Sequence, residues 1–266
     1  MVATQLASAR SDVLGVTGAA AVRLDGVSKI YGRRGASVPA LDRLSLDVRR
    51  GELLCLVGAS GCGKSTLLNL IAGLDAPTAG TVTRTVGEAT LMFQESALFP
   101  WLTVERNVEL ALQLARYPKE RRRERVEGLL RLVRLDGFSE KRPHELSGGM
   151  RQRVALARAL AQERPVLLMD EPFGALDAIT RDVLHDELER VWSETALTIV
   201  FVTHNVAEAV RLGDRVVVLT SRPGTVAATF EVGVDRPRRI DAPEVGEIAG
   251  EITHRLRREV ARHGRD

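Results

Sequence analysis

Cysteine is scarce in this chain. Only Cys55 and Cys62 occur among its 266 residues, and they lie on either side of the turn from a predicted strand into a glycine-rich loop. A disulfide between two cysteines so close along the chain is improbable. Two unpaired cysteines are typical of a protein of the reducing cytoplasm, which is where we expect this chain to work.

Long apolar runs are missing as well. No segment approaches the roughly 20 apolar residues that a helix needs to cross a bilayer. The N-terminal segment, residues 1–19, has no early cluster of positive charge, and Ser11 and Asp12 interrupt its apolar content. We therefore interpret it as a disordered tail of small residues and not as a signal peptide.

Charge of one sign is not in large excess. The chain carries 38 Lys and Arg against 35 Asp and Glu, a formal net charge of +3. That balance is too weak to indicate a nucleic-acid partner. Glutamates interleave the small basic run at 121–123, which favours a solvated helix face. We expect no nucleic acid to bind this chain.

The apolar pattern that is present predicts an α/β fold. Alternating apolar residues near 22–27 and 44–48 predict half-buried, antiparallel strands. Unbroken apolar runs bounded by polar residues predict strands of a parallel sheet with helices on both faces. These runs lie at 53–57, 166–169, 198–202 and 215–219.

Helical periodicity fills most of the remaining chain. It predicts helices over 66–74 and 178–194, and an almost wholly helical stretch over 103–135 without a strand. We interpret the last as part of a helical insertion at about 96–160 in a domain that spans 20–240. A final amphipathic helix is predicted within 241–266, where Ile248, Ile252, Leu256 and Val260 form a stripe. Packing on its own domain is the favoured role of this helix, and contact with a membrane surface or a partner is the alternative.

The segment GASGCGKST carries the clearest chemistry. It matches G-x-x-x-x-G-K-S and stands between an apolar strand and a helix, the context in which such a loop binds phosphate. Its backbone N–H groups would point at phosphate oxygens, the lysine would meet the β- and γ-phosphates, and the serine hydroxyl would face Mg²⁺. The residues expected to hold ATP here are Gly58, Ala59, Ser60, Gly61, Cys62, Gly63, Lys64, Ser65 and Thr66.

Polar residues at the ends of other apolar strands complete a candidate hydrolytic centre. Asp170 and Glu171 follow one strand, and ligands of parallel sheets bind at such carboxyl ends. Asp170 is the candidate Mg²⁺ ligand, and Glu171 is the candidate base for the attacking water. His204, after another strand, could donate to the γ-phosphate, and Gln94 could reach Mg²⁺ or the water. Tyr31 could stack on a base or be an ordinary surface aromatic.

A second glycine-rich loop, LSGGM at 146–150, also opens a predicted helix, so it too could hold a phosphate. Together these motifs resemble the ATP-binding subunits of ABC transporters, whose order they follow from residue 22 to about 218. The residues and segments that carry the resemblance are Tyr31, 58–66, Gln94, 146–150, 170–171, 174–177 and His204.

The resemblance implies a P-loop NTPase core with a parallel sheet, an antiparallel β subdomain and an inserted helical subdomain. It also implies a homodimer in which Ser147, Gly148 and Gly149 serve the nucleotide of the other subunit, and it adds Asp177 to the residues that bind ATP. Met150 stands where the family usually has glutamine, so no contact of that side chain is carried over.

The stretches MFQESALFPWLTVERNV and DEPFGALDAITRD resemble the ATPases of importers for nitrate, aliphatic sulfonates and taurine. That resemblance implies permease subunits in the membrane, an extracytoplasmic solute-binding protein as an indirect partner, and a peripheral position on the cytoplasmic face. The run 98–102 could form the groove for a permease helix or lie in the core of the helical unit.

Two other classes of protein share parts of the pattern. A soluble ABC-type ATPase acting on nucleic acid or the ribosome would usually show a long coiled-coil insertion or two cassettes. A small-molecule kinase would leave LSGGM and His204 unexplained. An importer ATPase is therefore the favoured interpretation.

Overall fold

The computed structural model of the protein describes residues 19–32 and 37–263. The predicted tail at 1–19 therefore lies, except for Ala19, outside the described residues, as do the last three residues of the chain. Across the described ranges, no helix is both long enough and apolar enough to span a bilayer.

Strands and helices alternate along most of the described chain. The strands are β1 (Ala20–Tyr31), β2 (Val38–Arg49), β3 (Leu53–Val57), β4 (Ala79–Arg84), β5 (Ala89–Met92), β6 (Val166–Asp170), β7 (Thr198–Val202), β8 (Arg215–Leu219) and β9 (Val226–Glu231). The α-helices are α1 (Lys64–Ala72), α2 (Val104–Leu114), α3 (Arg122–Leu132), α4 (Gly148–Leu160), α5 (Ala178–Thr195), α6 (Val206–Leu212) and α7 (Pro243–His263).

The smaller sheet is antiparallel and has the order β2-β1-β4. Val22 pairs with Val48 and Leu24 with Leu46, so the alternating apolar residues of both strands lie on one buried face. This confirms the antiparallel pairing that the period-two pattern predicts. The edge strand β4 escapes sequence analysis because its residues are mostly exposed and form no apolar run.

The larger sheet has the order β5-β6-β7-β3-β8-β9, and all its strands are parallel except the edge strand β9. The four predicted apolar runs form β3, β6, β7 and β8, which are buried almost throughout. Strand β9 is half-exposed at the edge and so lacks a continuous apolar signal. The α/β fold with a parallel sheet and an antiparallel unit is confirmed.

One predicted helix needs a correction of its bounds. Helix α1 begins at Lys64, two residues earlier than the pattern indicates, because the glycine-rich loop turns directly into it. The stretch 103–135, predicted to be almost wholly helical, contains two α-helices with an irregular segment at 115–118 and a 3₁₀ turn at 119–121 between them. Pro118 has no N–H to continue a helix, and Arg116 has a positive φ of 58°, so one continuous helix cannot form.

Helix α7 packs on the body of the protein. Ile252 is fully buried, Ile248 and Leu256 pack against the core beneath β8 and β9, and Val260 remains 47% exposed. The predicted stripe is therefore used mainly for packing within the chain, and only its last residue faces solvent.

Candidate active site

The carboxyl ends of the parallel strands bring most of the predicted site residues to one edge of the larger sheet. The glycine-rich loop follows β3, Asp170 is the last residue of β6, and His204 follows β7 by two residues. Because β6, β7 and β3 are neighbours in the sheet, these groups are neighbours at its edge. Gln94 follows β5, which pairs with β6 on the other side.

The glycine-rich loop, residues 58–64, closes around the lysine. Gly61 and Gly63 have φ angles of 76° and 99°, which only glycine adopts without strain. The amine of Lys64, a residue only 8% exposed, donates hydrogen bonds to the carbonyl oxygens of Gly58 at 2.9 Å and Ala59 at 3.1 Å. A cation is thus held inside a ring of backbone, where an anion can replace the carbonyls as its partner.

Residues of β2 and of the β8–β9 turn pack against the glycine-rich loop and fix its position. A β-carbon on Gly63 would lie 2.8 Å from the carbonyl oxygen of Ala40 in β2, which is closer than real contacts allow. A β-carbon on Gly224 would lie 2.2 Å from the carbonyl oxygen of Cys62. The loop is therefore held between the antiparallel sheet and the turn that joins β8 to β9.

The side chain of Cys62 is buried, so only its backbone N–H can take part in the predicted phosphate cradle. Its side chain is 1% exposed and packs into the apolar cluster beneath the loop, with Sγ only 2.6 Å from where a β-carbon on Gly58 would stand. Burial raises the pKa of this thiol, and the nearby Lys64 offsets only part of the rise.

The entrance to α1 carries the remaining loop residues. Ser60 and Ser65 are exposed, and Ala59 and Thr66 are half-buried. The hydroxyl of Tyr31 lies 3.2 Å from Asp75 and 3.5 Å from Thr66, so the tyrosine ring stands beside the first turn of α1. Tyr31 is thus next to the phosphate loop, as a base-stacking residue requires.

Glu171 and His204 form a hydrogen bond across the sheet edge. Nδ1 of His204 lies 2.9 Å from Oε2 of Glu171, and the Glu171 N–H donates to the carbonyl of Val202 in the next strand. Glu171 has a φ of 46°, a left-handed conformation that non-glycine residues adopt at some cost. Asp170, half-buried, ends β6 directly before it.

Gln94 reaches the same place from the other side. A β-carbon on Gly174 would lie 3.4 Å from the side-chain nitrogen of Gln94 and 3.7 Å from Oε2 of Glu171. The amide and the carboxylate therefore flank one small volume beside the acids. Gly174 leaves that volume open, and a side chain there would fill it.

The second glycine-rich loop opens α4 as predicted. Ser147 is the N-cap residue, and its hydroxyl accepts a hydrogen bond from the N–H of Met150 at 3.2 Å. The N–H groups of Gly148 and Gly149, at the start of the helix, have no acceptor within the helix. Ser147 is exposed.

Asp177 lies beside this loop through helix packing. It caps α5 by accepting from the N–H of Thr180 at 2.9 Å, and that bond lowers the pKa of its carboxyl. A β-carbon on Gly149 would lie 2.5 Å from Cγ2 of Thr180, and one on Gly148 3.2 Å from Leu176. Among the described residues, no hydrogen bond or ion pair joins Ser147 or Asp177 to the phosphate loop.

Helix α4 also holds the segment that contains Gln94, a connection that sequence analysis does not reveal. The side chain of Gln152 donates to the carbonyl of Gln94 at 2.7 Å, and Arg158 donates to the carbonyls of Ser96 and Ala97. These are side chain to backbone contacts over about 60 residues, so no local motif signals them. They tie the second glycine-rich loop to the first site.

The residues at the sheet edge fit a magnesium nucleotide. No group of three His, Cys, Asp or Glu side chains that could hold a metal ion occurs in the described part of the chain. A cation here would instead need oxygen ligands from a phosphate, together with Ser65, Asp170 and Gln94. Mg²⁺ in phosphate-transfer sites is bound in that way, through one or two carboxylates and the phosphates themselves.

Comparison with known proteins gives the same class. The family model described as ABC transporter matches residues 41–174. The nitrate import ATP-binding protein of Synechocystis sp. is 46% identical over 86% of this chain and 85% of its own length. The aliphatic sulfonates import ATP-binding protein of Bacillus cereus is 41% identical over 89% of this chain and 96% of its own.

A solved structure extends the likeness to three dimensions. A dimeric ATP-binding cassette in a post-hydrolysis state, bound to ADP and phosphate, is 34% identical with a TM-score of 0.69. The match covers the full length of that chain and 80% of this one. The chain belongs to the ATP-binding subunits of the ABC transporter family and is an ATPase of the kind that is coupled to transport.

Proposed function

We propose that this chain is the energy-coupling ATPase of an ABC importer for a small anion, and that it works as a homodimer on the cytoplasmic face of the membrane. One observation carries the proposal. The chain has a complete phosphate loop with an acid pair, and also a second capped helix start that shares no hydrogen bond with it among the described residues. A second copy of the chain gives that helix start a nucleotide to act on.

The proposed mechanism assigns each residue at the sheet edge one task. Lys64 gives up its carbonyl partners to meet the β- and γ-phosphates, and the N–H groups of 58–66 cradle them. Ser65, Asp170 and Gln94 would hold Mg²⁺, which neutralises phosphate charge when bound. Glu171 orients and deprotonates the attacking water. Tyr31 stacks on the adenine base of ATP.

His204 positions the carboxylate of Glu171. A carboxylate can only accept, so the hydrogen between the two groups belongs to Nδ1 of His204. In a neutral ring Nε2 then has no hydrogen, so donation to a γ-phosphate requires the imidazolium or a change of partner. The contact with Glu171 is thus the arrangement that precedes phosphate binding, and His204 can exchange it for the phosphate.

The second loop closes the site from the opposite subunit. Ser147 and the N–H groups at Gly148 and Gly149 would add positive potential on the open side of the γ-phosphate, where charge shifts during transfer. Asp177 stands against the same loop through Thr180 and would lie at the same junction. Two ATP molecules then hold two chains together, and hydrolysis releases them.

Permease subunits are the partners to which this cycle of dimer closing and opening would be coupled. Phe99 and Trp101 are 37% and 68% exposed, and their rings form a tilted pair with centroids 5.5 Å apart. Leu98 beside them is half-buried and packs against the core. The run 98–102 therefore presents an aromatic surface on a half-buried anchor, which supports contact with a permease helix over a role as core alone.

The transported solute is proposed from the relatives. Their names give nitrate and aliphatic sulfonates, and taurine belongs to the same chemical class as the latter. All carry a small oxyanion group, and a solute-binding protein outside the cytoplasm would deliver them to the permease. The ATPase itself carries no contact with the solute in this proposal.

Copurification tests the proposal. The chain is to be expressed with the permease gene beside it, tagged only on the permease, and extracted from membranes in detergent. We expect the ATPase to copurify with the permease, and Trp101→Ala to weaken copurification by about tenfold while basal hydrolysis persists. Leu74→Ala, at a residue of similar exposure on another surface, is the control. An ATPase found only in the soluble fraction, with ribosomes or nucleic acid, would contradict it.

A further inference from the structure

A buried chain of hydrogen bonds joins His185, Glu208 and Thr203 behind the hydrolytic centre, and it has no part in the hydrolysis proposed for that centre. We propose that His185 is a positioning residue for that centre, acting through Glu208 and Thr203 to hold His204 against Glu171. The inference rests on the proposed roles of His204 and Glu171. His185 lies in α5 and is completely buried, yet both nitrogens of its ring make polar contacts.

The contacts of His185 determine where its hydrogen lies. Nδ1 is 2.9 Å from Nη1 of Arg211, and Nε2 is 2.6 Å from Oε1 of Glu208. Arginine has only donors, so Nδ1 accepts. The single hydrogen of a neutral ring is then on Nε2, from which it is donated to the carboxylate of Glu208. Arg211 thus selects the tautomer that makes His185 a donor toward the site.

Glu208 passes the constraint to the residues on both sides of His204. Its other oxygen accepts from the hydroxyl of Thr203 in a short hydrogen bond. The same hydroxyl oxygen accepts from the N–H of Asn205 at 3.0 Å, and the Asn205 side chain accepts from the Glu208 N–H at 3.2 Å. The backbone before and after His204 is therefore fixed, while its own ring is 66% exposed and bonded to Glu171.

The far end of the chain of bonds is anchored on α5. Arg211, only 6% exposed, pairs with Asp182 at 3.0 Å and with Asp186 at 2.6 Å, and both acids lie on α5 with His185. That helix is capped by Asp177, and its first turn packs against the second glycine-rich loop. A shift of α5 would thus move His204 through these buried hydrogen bonds. The second glycine-rich loop, which packs against the start of α5, is in this way connected to Glu171.

Removal of the His185 ring has a predictable local effect. Glu208 is 5% exposed, so its carboxylate would lose one of its two side-chain donors where water cannot replace it. The remaining bond to Thr203 would no longer fix the position of the carboxylate. The turn at 203–205 would gain freedom, and the His204 ring would leave Glu171 part of the time.

Two substitutions separate the hydrogen bonds from the volume. His185→Leu fills the site without polar atoms. His185→Gln places an amide nitrogen near the Nε2 position and an oxygen that can accept from Arg211. We expect His185→Leu to lower kcat about tenfold with less than about a twofold change in KM for ATP, and His185→Gln to recover most of the loss.

A double-mutant cycle with His204→Ala distinguishes positioning from general damage. If His185 acts through His204, His185→Leu costs about tenfold in kcat in the wild-type background but less than about twofold in His204→Ala. A merely structural effect would cost the same factor in both backgrounds. Turnover of labelled ATP gives the sensitivity that the weak variants need. Should His185→Leu fail to fold, Thr203→Val cuts the same chain of bonds with an isosteric side chain.

A spectroscopic reading is independent of turnover. With ¹⁵N-labelled histidine, we expect the His204 ring signals to move toward those of a free, exposed imidazole in His185→Leu and to return in His185→Gln. Equal losses in both backgrounds of the cycle, or His204 signals that do not move, would overturn the inference. A His204→Ala variant with unchanged kcat would instead overturn the assignment of His204, and the inference with it.

Discussion

His204 Nδ1 stands 2.9 Å from Glu171 Oε2 at the junction of strands β6 and β7. The contact joins two residues 33 positions apart in sequence, each of which directly follows or nearly follows a parallel strand. Glu171 has a positive φ of 46°, and its side chain reaches across the sheet edge to His204. The proposed base and the residue proposed to orient it are thus brought together by the sheet itself.

Replacement of Glu171 tests its assignment as the base. Glu171→Gln keeps the size and the contact with His204 but removes the proton acceptor, so we expect ATP binding to persist and turnover to fall by at least about 10²-fold. A dimer with ATP bound should accumulate, visible by size-exclusion chromatography with MgATP. Glu247→Gln, an exposed carboxylate on α7, is the matched control. Near-normal hydrolysis by Glu171→Gln would show that another group is the base.

Gly149 is predicted to be intolerant of any side chain. A β-carbon there would lie 2.5 Å from Cγ2 of Thr180, so Gly149→Ala should lose about 1–3 kcal/mol in the free energy of unfolding. Thr180→Ser removes that methyl group, and the double variant should recover most of the loss. Urea denaturation of the four proteins measures this. Equal stability of Gly149→Ala and the wild type would mean that α4 and α5 are not in such close contact.

Asp177 has one role that the structure shows and one that we propose. As the N-cap of α5 it should lose about 1 kcal/mol of stability in Asp177→Ala, whereas Asp177→Asn keeps an equivalent acceptor and should be nearly neutral. If Asp177 also serves the nucleotide junction, Asp177→Asn will lower kcat with the unfolding free energy unchanged. Full activity in Asp177→Asn would reduce its role to capping.

Both cysteines should resist labelling in the native protein. Cys55 and Cys62 are buried, and burial raises the pKa of both thiols, which leaves little accessible thiolate. Titration with a thiol reagent at pH 8 should therefore detect almost no fast-reacting thiol before denaturation and two after it. Rapid labelling of Cys62 in the native state would place it in the open cradle after all.

The features that sequence predicts well are those written in contiguous residues. The phosphate loop 58–66 can be identified because its glycines, lysine and serine stand together between a strand and a helix. The buried strands β3, β6, β7 and β8 follow from unbroken apolar runs, since a strand covered on both faces needs apolar side chains throughout. Their carboxyl ends then place Asp170, Glu171 and His204 together.

Other features depend on which elements meet in space. The direction of the Cys62 side chain is set by packing against Gly58 and the core, which loop spacing does not encode. The bond from Gln152 to the Gln94 carbonyl and the bonds of His185 to Glu208 and Arg211 join residues 23–58 positions apart. An isolated glutamine or histidine on a helix carries no signal of such a partner.

The central claim is that the second glycine-rich loop serves the nucleotide of the other subunit. Two inactive variants test it, Lys64→Ala in the phosphate loop and Ser147→Arg in the second loop, both in the Glu171→Gln background so that ATP stays bound. Differently tagged copies are mixed, and the heterodimer is purified through both tags. If the loops act between subunits, one of its two sites collects both lesions and the other is intact.

Bound ATP per purified heterodimer is the decisive measurement. We predict about one trapped ATP per heterodimer and almost none in either parent homodimer, because only one complete site forms. A covalently linked dimer with a single lesion serves as the control that one damaged site still permits closure of the other. No trapped ATP in the heterodimer, with trapping retained in that linked control, would contradict the claim and place both loops of each site within one chain.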